Sequence, residues 1–248
     1  MIISFFEEYP TKKNLEKIEL IKFPTKLYIA ASSIKIFNKI KNQIKSKYVK
    51  EIIYWPTLKI EEGYWLSPFS KKEALQRIIT ETKNVNILWD AELPRNRSLL
   101  ITQLLNFRKN KKLIKNFFKN YKGTIYTAEY FPEKGLIGRG LKLLGLSFNP
   151  NKYNNYQVKM FYSSVHNFKE KFIISKIKKG IKNYKNKYVL GLGVLTTGIN
   201  NDEPIISKER LERDLKLSKE TGLKEVILFR LGGLNKEYLK VINKYSQK

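Results

Sequence analysis

Eight short runs of β-branched and aromatic residues alternate with longer segments of helical periodicity along the whole chain, at 2–6, 26–30, 49–54, 85–89, 123–128, 156–162, 188–194 and 223–229. This alternation is the pattern of βα units, in which each helix carries the chain back across the sheet so that successive strands pair in parallel. The intervening helical segments are 13–20, 34–46, 71–82, 99–120, 135–144, 169–184, 208–221 and 236–245. Eight units in 248 residues average about thirty-one residues each, the repeat size of a (β/α)8, or TIM, barrel of roughly 250 residues. A doubly wound sheet would need a glycine-rich phosphate-binding turn between an early strand and its helix. Gly191-x-Gly193 falls inside a late strand and does not meet that requirement. No low-complexity tract or composition shift marks a boundary, so the chain reads as one α/β barrel domain, residues 1–248.

Local signals reinforce several helices. Ser70-Lys-Lys-Glu73 and Asn167-Phe-Lys-Glu170 have capping-box form, an N-cap oxygen followed three residues later by Glu. Gly123 and Gly222 stand where helices must stop, positions at which a left-handed residue is cheapest as glycine. In the basic stretch 108–122, Leu113, Phe117 and Tyr121 share a helical face and are expected to form its packed stripe,. Two connections are long, 55–70 and 196–207. In a barrel both would rim the face where substrate contacts collect.

Composition removes several chemistries. There is no cysteine and one histidine, His166, which excludes a thiol nucleophile, a Cys/His zinc site and a disulfide framework. His166 itself is expected at the surface. No fingerprint for a bound cofactor is present, and none is expected. The formal charge of +27 points first to a polyanion,. Of the 49 basic residues, however, only eight are arginine, whereas nucleic-acid readers lean on the bidentate guanidinium. The lysines are therefore expected to cover solvated helix faces, with at most weak polyanion binding. No apolar run approaches the roughly 20 residues of a membrane span. The opening MIISFFEEYPTKK lacks the pattern of a secretory signal,, so a cytoplasmic location is expected.

Residues just past the strand C-termini of a barrel converge on one mouth. Strand one brings Glu7 and Glu8 there, strand three Trp55, and strand four Trp89, Asp90 and Glu92. Strand five brings Glu129 and Tyr130, strand six Tyr162 and Ser163, and strand eight Arg230. Carboxylates held close together raise one another's proton affinity, which keeps one of them protonated as a general acid. Indoles beside such acids, from Trp55, Trp65 and Trp89, suit the C–H face of a sugar ring. Asp90 and Glu92 are two apart, so strand alternation puts them on the same side.

At these residues the chain resembles the (β/α)8 glycoside hydrolases of the chitinase and hyaluronidase type. Asp90-Ala-Glu92 is similar to their D-x-E element at the end of strand four, and Met160-Phe-Tyr162 to the M-x-Y of strand six. The resemblance implies a glycan or glycoconjugate substrate, Glu92 as general acid, Asp90 as the residue orienting an acetamido group, and Tyr162 holding the acetamido oxygen. Glu7, Glu8, Trp55, Trp89, Glu129 and Arg230 join as candidate substrate contacts from their strand-end positions. The chain departs from the family pattern in several places. The longer acidic run is reduced to its last two members, Ser163 follows Tyr162 where Asp is usual, and strand eight ends in Phe229-Arg230 where Trp is usual.

Other readings stay open on the same residues. Arg230 with Thr196, Thr197, Gly232 and Gly233 offers a phosphosugar site after strands seven and eight. Glu7, Asp90, Glu92 and Glu129 offer oxygen ligands to Mg²⁺ or Mn²⁺. A non-catalytic barrel binding nucleic acid through its lysines is the third. Oligomeric state is not encoded legibly.

Overall fold

The computed structural model describes residues 1–131 and 135–247. Its eight strands close into a parallel barrel in chain order, as expected for a (β/α)8 fold. They are β1 (Ile2–Glu7), β2 (Thr25–Ala31), β3 (Val49–Pro56), β4 (Ile87–Asp90), β5 (Ile125–Glu129), β6 (Tyr156–Met160), β7 (Tyr188–Gly193) and β8 (Glu225–Phe229). The α-helices among the described residues are α1 (Lys12–Leu15), α2 (Ile34–Gln43), α3 (Lys72–Glu81), α4 (Leu99–Thr102), α5 (Leu104–Asn120), α6 (Gly135–Leu144), α7 (Pro150–Tyr153), α8 (Glu170–Tyr184), α9 (Lys208–Glu220) and α10 (Lys236–Tyr245). By contact density the chain forms two compact units. One is Met1–Ala30, Ile40–Ile52 and Met160–Lys248; the other is Ala31–Lys39 and Ile53–Lys159.

In the first unit β1 pairs in register with β8, Ile3 opposite Val226 and Phe5 opposite Leu228, and β8 pairs with β7. Every residue of β7 and β8 is buried, because a parallel strand has a covered surface on both faces. Glu225, at the start of β8, is the one carboxylate of that strand. It accepts from Ser4 Oγ at 2.7 Å, Lys26 Nζ at 2.9 Å and Tyr28 Oη at 3.1 Å, which compensates its burial.

Helix α8 lies against β7 through Gly180, where a Cβ would overlap the ring of buried Tyr188. Gly180→Ala is therefore expected to destabilise the protein by about 1–3 kcal/mol, the usual cost of overpacking a closed site. A thermal melt unchanged from the parent would show that the ring moves aside freely.

In the second unit β4 pairs with β5, from Ile87 opposite Ile125 to Asp90 opposite Ala128, and β5 pairs with β6. The buried stripe of α5 is Asn110, Ile114 and Phe118, one position on from the expected Leu113, Phe117 and Tyr121. The reason is a polar anchor. Asn110 Nδ2 donates to the carbonyls of Pro68 (3.0 Å) and Ser70 (2.9 Å), which turns that side of the helix toward the β3–α3 connection. The connection is itself packed, with residues 63–70 all buried.

The capping boxes do not form. Ser70 Oγ donates to Trp65 O (2.8 Å) and accepts from Ser67 N (3.0 Å) inside the loop, and α3 begins after Lys71 without a side-chain cap. The cap position of α8 is Lys169, also without a side-chain cap. Side-chain caps among the described residues come from Thr11, Ser33, Asn149, Ser207 and Asn235. Gly222 has the expected positive φ of 83°. Gly123 is required for another reason, since a Cβ there would lie 2.7 Å from Val85 O.

Candidate active site

Strand β4 ends in Ile87-Leu-Trp-Asp90, all buried. Trp89 faces the helix layer, with Phe117 and Phe118 at 5.5 and 5.4 Å between ring centroids and its Nε1 donating to Leu66 O at 3.1 Å. Alternation then turns Asp90 to the opposite, inner side of the strand. Its carbonyl accepts from Leu66 N at 2.9 Å, so the β3–α3 connection braces the strand end on which it sits. Two residues later Glu92 is half-buried.

Tyr130, the first residue after β5, completes this group. Its hydroxyl accepts from Leu93 N at 3.1 Å and donates to the Glu92 side chain. Burial first, and then the Glu92 and Asp90 charges, push the Tyr130 phenol above its ordinary range. Tyr130 therefore stays protonated at neutral pH and acts as a fixed donor to Glu92. Sequence reading placed Tyr130 at this strand end without assigning it a partner. Its signal was position alone, one residue beyond Glu129 and hence on the other side of the strand.

Glu129 occupies that other role. It has 0% exposure and accepts from Lys159 Nζ (2.7 Å), Thr127 Oγ1 (2.8 Å), Phe148 N (2.9 Å) and Gln157 Nε2 (2.9 Å). Four donors and full burial make it the brace that ties β5 to β6. The substrate contact expected of it has no open surface to work from.

At the ends of β1 and β8, Glu7 is also at 0% exposure. It accepts from Gly232 N (2.6 Å), Tyr9 N (2.7 Å), Asn14 Nδ2 (3.2 Å) and Arg230 Nη1 (3.2 Å). Burial outweighs these favourable partners and holds its carboxyl above the usual range. The Arg230 guanidinium lies 4.7 Å from the centroid of the Tyr9 ring and donates through Nε to Thr197 O at 3.0 Å. Arg230 is thus committed to organising the β1, β7 and β8 ends, which weakens its expected use as an anion contact for a phosphosugar. Glu8 is 6% exposed and accepts from Ile199 N at 3.1 Å, pinning the loop after β7.

Tyr162 follows β6 and is half-buried, its ring 5.8 Å from that of Phe229. Ser163 is fully buried and hydrogen-bonds to Asp214 of α9. His166 is exposed, as expected. The three indoles are covered, with Trp55, Trp65 and Trp89 at 3, 8 and 0% exposure. Trp89 in particular presents no ring face to a sugar, because α5 occupies it. Among the described residues no three His, Asp or Glu side chains are gathered as a metal-binding group. No helix among them is long and apolar enough to cross a membrane.

No protein-family model matches the sequence, and no curated protein matches it by sequence. The fold, by contrast, has clear relatives among solved structures. Over 100% of this chain and 99% of the other, it is similar to the PgaB (BpsB) glycoside hydrolase domain from Bordetella bronchiseptica, with a TM-score of 0.62 at 11% identity. A chitinase from Chromobacterium violaceum gives 0.55 at 8% identity, over 100% of this chain and 99% of that one. A class V chitinase from Pseudomonas fluorescens gives 0.54 at 10% identity, over 98% of each chain. The architecture these structures share with the chain is the closed (β/α)8 barrel.

Proposed function

We propose that the protein hydrolyses a glycosidic bond in a glycan or glycoconjugate, with Glu92 as general acid and Asp90 orienting the substrate. The observation that carries this reading is the Asp90–Glu92 pair at the C-terminal end of β4, with Glu92 hydrogen-bonded to a half-buried, protonated Tyr130. Strand C-termini are where barrel enzymes place their chemistry. A half-buried carboxyl with a fixed donor has the position and accessibility that protonation of a leaving oxygen requires. Tyr162 is proposed as a substrate contact in addition to these carboxylates; Glu8 and Trp55, at 6 and 3% exposure, are not. Glu7, Glu129, Trp89 and Arg230 are proposed to support the site from behind, by fixing the strand ends.

The direct test is release of reducing ends from a panel of oligosaccharides, including those built on 2-acetamido sugars, by the wild-type protein and by Glu92→Gln. Glu92-dependent release supports the reading. No release from any glycan, or equal release by both proteins, would overturn it.

Tyr130→Phe gives a more specific expectation. The phenol stabilises the ionised form of Glu92, so its removal raises the proton affinity of Glu92. A hydrogen bond to a charged group is worth about 1.5–3 kcal/mol, and one pKa unit is about 1.4 kcal/mol. The alkaline limb of the rate profile, where the general acid loses its proton, should move up by roughly one to two units. An unmoved limb would separate Tyr130 from the acid's titration.

A further inference from the structure

The helix layer of the second unit carries a feature that catalysis does not use. A cavity of about 230 Å³ is lined by Lys111 and Lys115 of α5, Lys142 of α6, Lys152 of α7, and the rings of Phe148 and Tyr153. Among the described residues no carboxylate lines it. Between Glu92 and Glu129, and between Glu133 and Glu170, the sequence holds no Asp or Glu at all. The four lysines thus share a cavity wall that holds no carboxylate among the described residues. Burial and the neighbouring Lys115 ammonium hold Lys111 below the ordinary lysine value. Four cations around one cavity is the arrangement that a phosphate group satisfies.

Apolar groups adjoin the same place. The six most exposed large apolar side chains among the described residues are Leu105 (92%), Leu136 (85%), Ile101 (75%), Leu143 (69%), Ile137 (64%) and Leu104 (59%). All six lie on α4, α5 and α6. The two longer helices are joined where Lys111 Nζ donates to Leu143 O at 2.5 Å. At 1.5 Å per residue, Leu105 and Leu136 lie within roughly 10 Å of that junction along their helices. Leu143 is the sequence neighbour of Lys142 in the cavity wall. On α5 the exposed leucines are followed by exposed Arg108, Lys109 and Lys112, and on α6 the apolar positions flank exposed Arg139 and Lys142.

We propose that this face of α4–α7 docks onto an anionic phospholipid surface, with a lipid phosphate seated among Lys111, Lys115, Lys142 and Lys152 and the exposed aliphatic side chains entering the interface. Aliphatic tips flanked by bases are what an interfacial helix presents to the headgroup–acyl boundary. Each lysine near such a surface adds to the attraction. A nucleic-acid surface would instead offer aromatic rings for base stacking, and the exposed groups here are leucine and isoleucine.

The test is sedimentation of the full-length protein with vesicles. Binding is expected to vesicles of mixed phosphatidylglycerol and phosphatidylcholine, and not to phosphatidylcholine alone. Replacing Lys115, Lys142 and Lys152 together by Gln should weaken binding by roughly two orders of magnitude, from about fivefold per lysine. Leu136→Asn with Ile137→Asn should weaken it roughly tenfold while leaving the lysines in place. A control triple with the same loss of charge, Lys171→Gln, Lys178→Gln and Lys182→Gln on the exposed side of α8, should change it less than twofold. Equal loss in both triples would assign the binding to net charge and overturn the proposal. So would unchanged binding by the Leu136/Ile137 variant, or binding to RNA in place of vesicles.

Discussion

Glu92→Gln is expected to lower turnover by about 10²–10⁴-fold, the usual contribution of a positioned general acid. The amide is isosteric and can still accept from Tyr130, so the β4 end should keep its shape while losing the proton that the leaving oxygen needs. The loss should fall on kcat, with KM changed little, because the proton is transferred only in the transition state. The thermal midpoint should stay close to that of the wild type. A fall in activity accompanied by a large fall in stability would assign Glu92 a structural part. Asp90→Asn, measured alongside, should lose activity by weakening substrate orientation while leaving the acid in place.

Lys159→Met is expected to have the largest effect on stability. Lys159 and Glu129 are both fully buried, at 2.7 Å from each other. Removing the ammonium leaves the carboxylate in the β5–β6 interior without its counter-charge, a change that costs about 3–5 kcal/mol. For a chain of this size that corresponds to a fall in midpoint of roughly 6–20 °C. The double variant Lys159→Met with Glu129→Met should recover much of the loss, because two apolar groups leave no buried charge behind. Calorimetry of the two variants checks both halves. If the single variant melts within a degree or two of wild type, the pair contributes little and the Glu129 network is not a brace.

The barrel was legible because its strands are buried on both faces and so appear as continuous apolar runs. Each of the eight runs corresponds to an observed strand, with ends moved by a few residues; β4 starts at Ile87 where the run starts at 85. Helix α7 was not legible, because four residues opened by Asn149 and Pro150 carry no periodicity. The capping boxes misled because Ser70 had a competing use inside the loop, and a side-chain hydroxyl goes to the nearest orphaned backbone group. The α5 stripe was displaced by one position because Asn110, polar and therefore read as outward, is buried against two carbonyls.

At the strand ends, the resemblance alone put Glu92 and Asp90 ahead of Glu7 and Glu129. Asp90, Glu92, Glu7 and Glu129 look alike in one dimension. What separates them is the supply of donors around each, and those donors come from residues distant in sequence. Gly232 and Arg230 reach Glu7 across more than two hundred positions, and Lys159 reaches Glu129 across thirty. Glu92 is half-buried and held by Tyr130, and it is the acid we propose meets the substrate. The tryptophans were read as an aromatic platform for a similar reason, since position alone does not reveal that all three are covered.

The most direct test of Glu92 as general acid compares two leaving groups. Aryl glycosides of the sugar that the wild-type protein hydrolyses would be assayed with Glu92→Gln, one carrying a dinitrophenolate and one a poor phenolate. A dinitrophenolate departs without protonation and a poor phenolate does not. The account predicts near wild-type turnover of the first and loss of about 10²-fold or more on the second. Equal loss on both, or loss on neither, would contradict it.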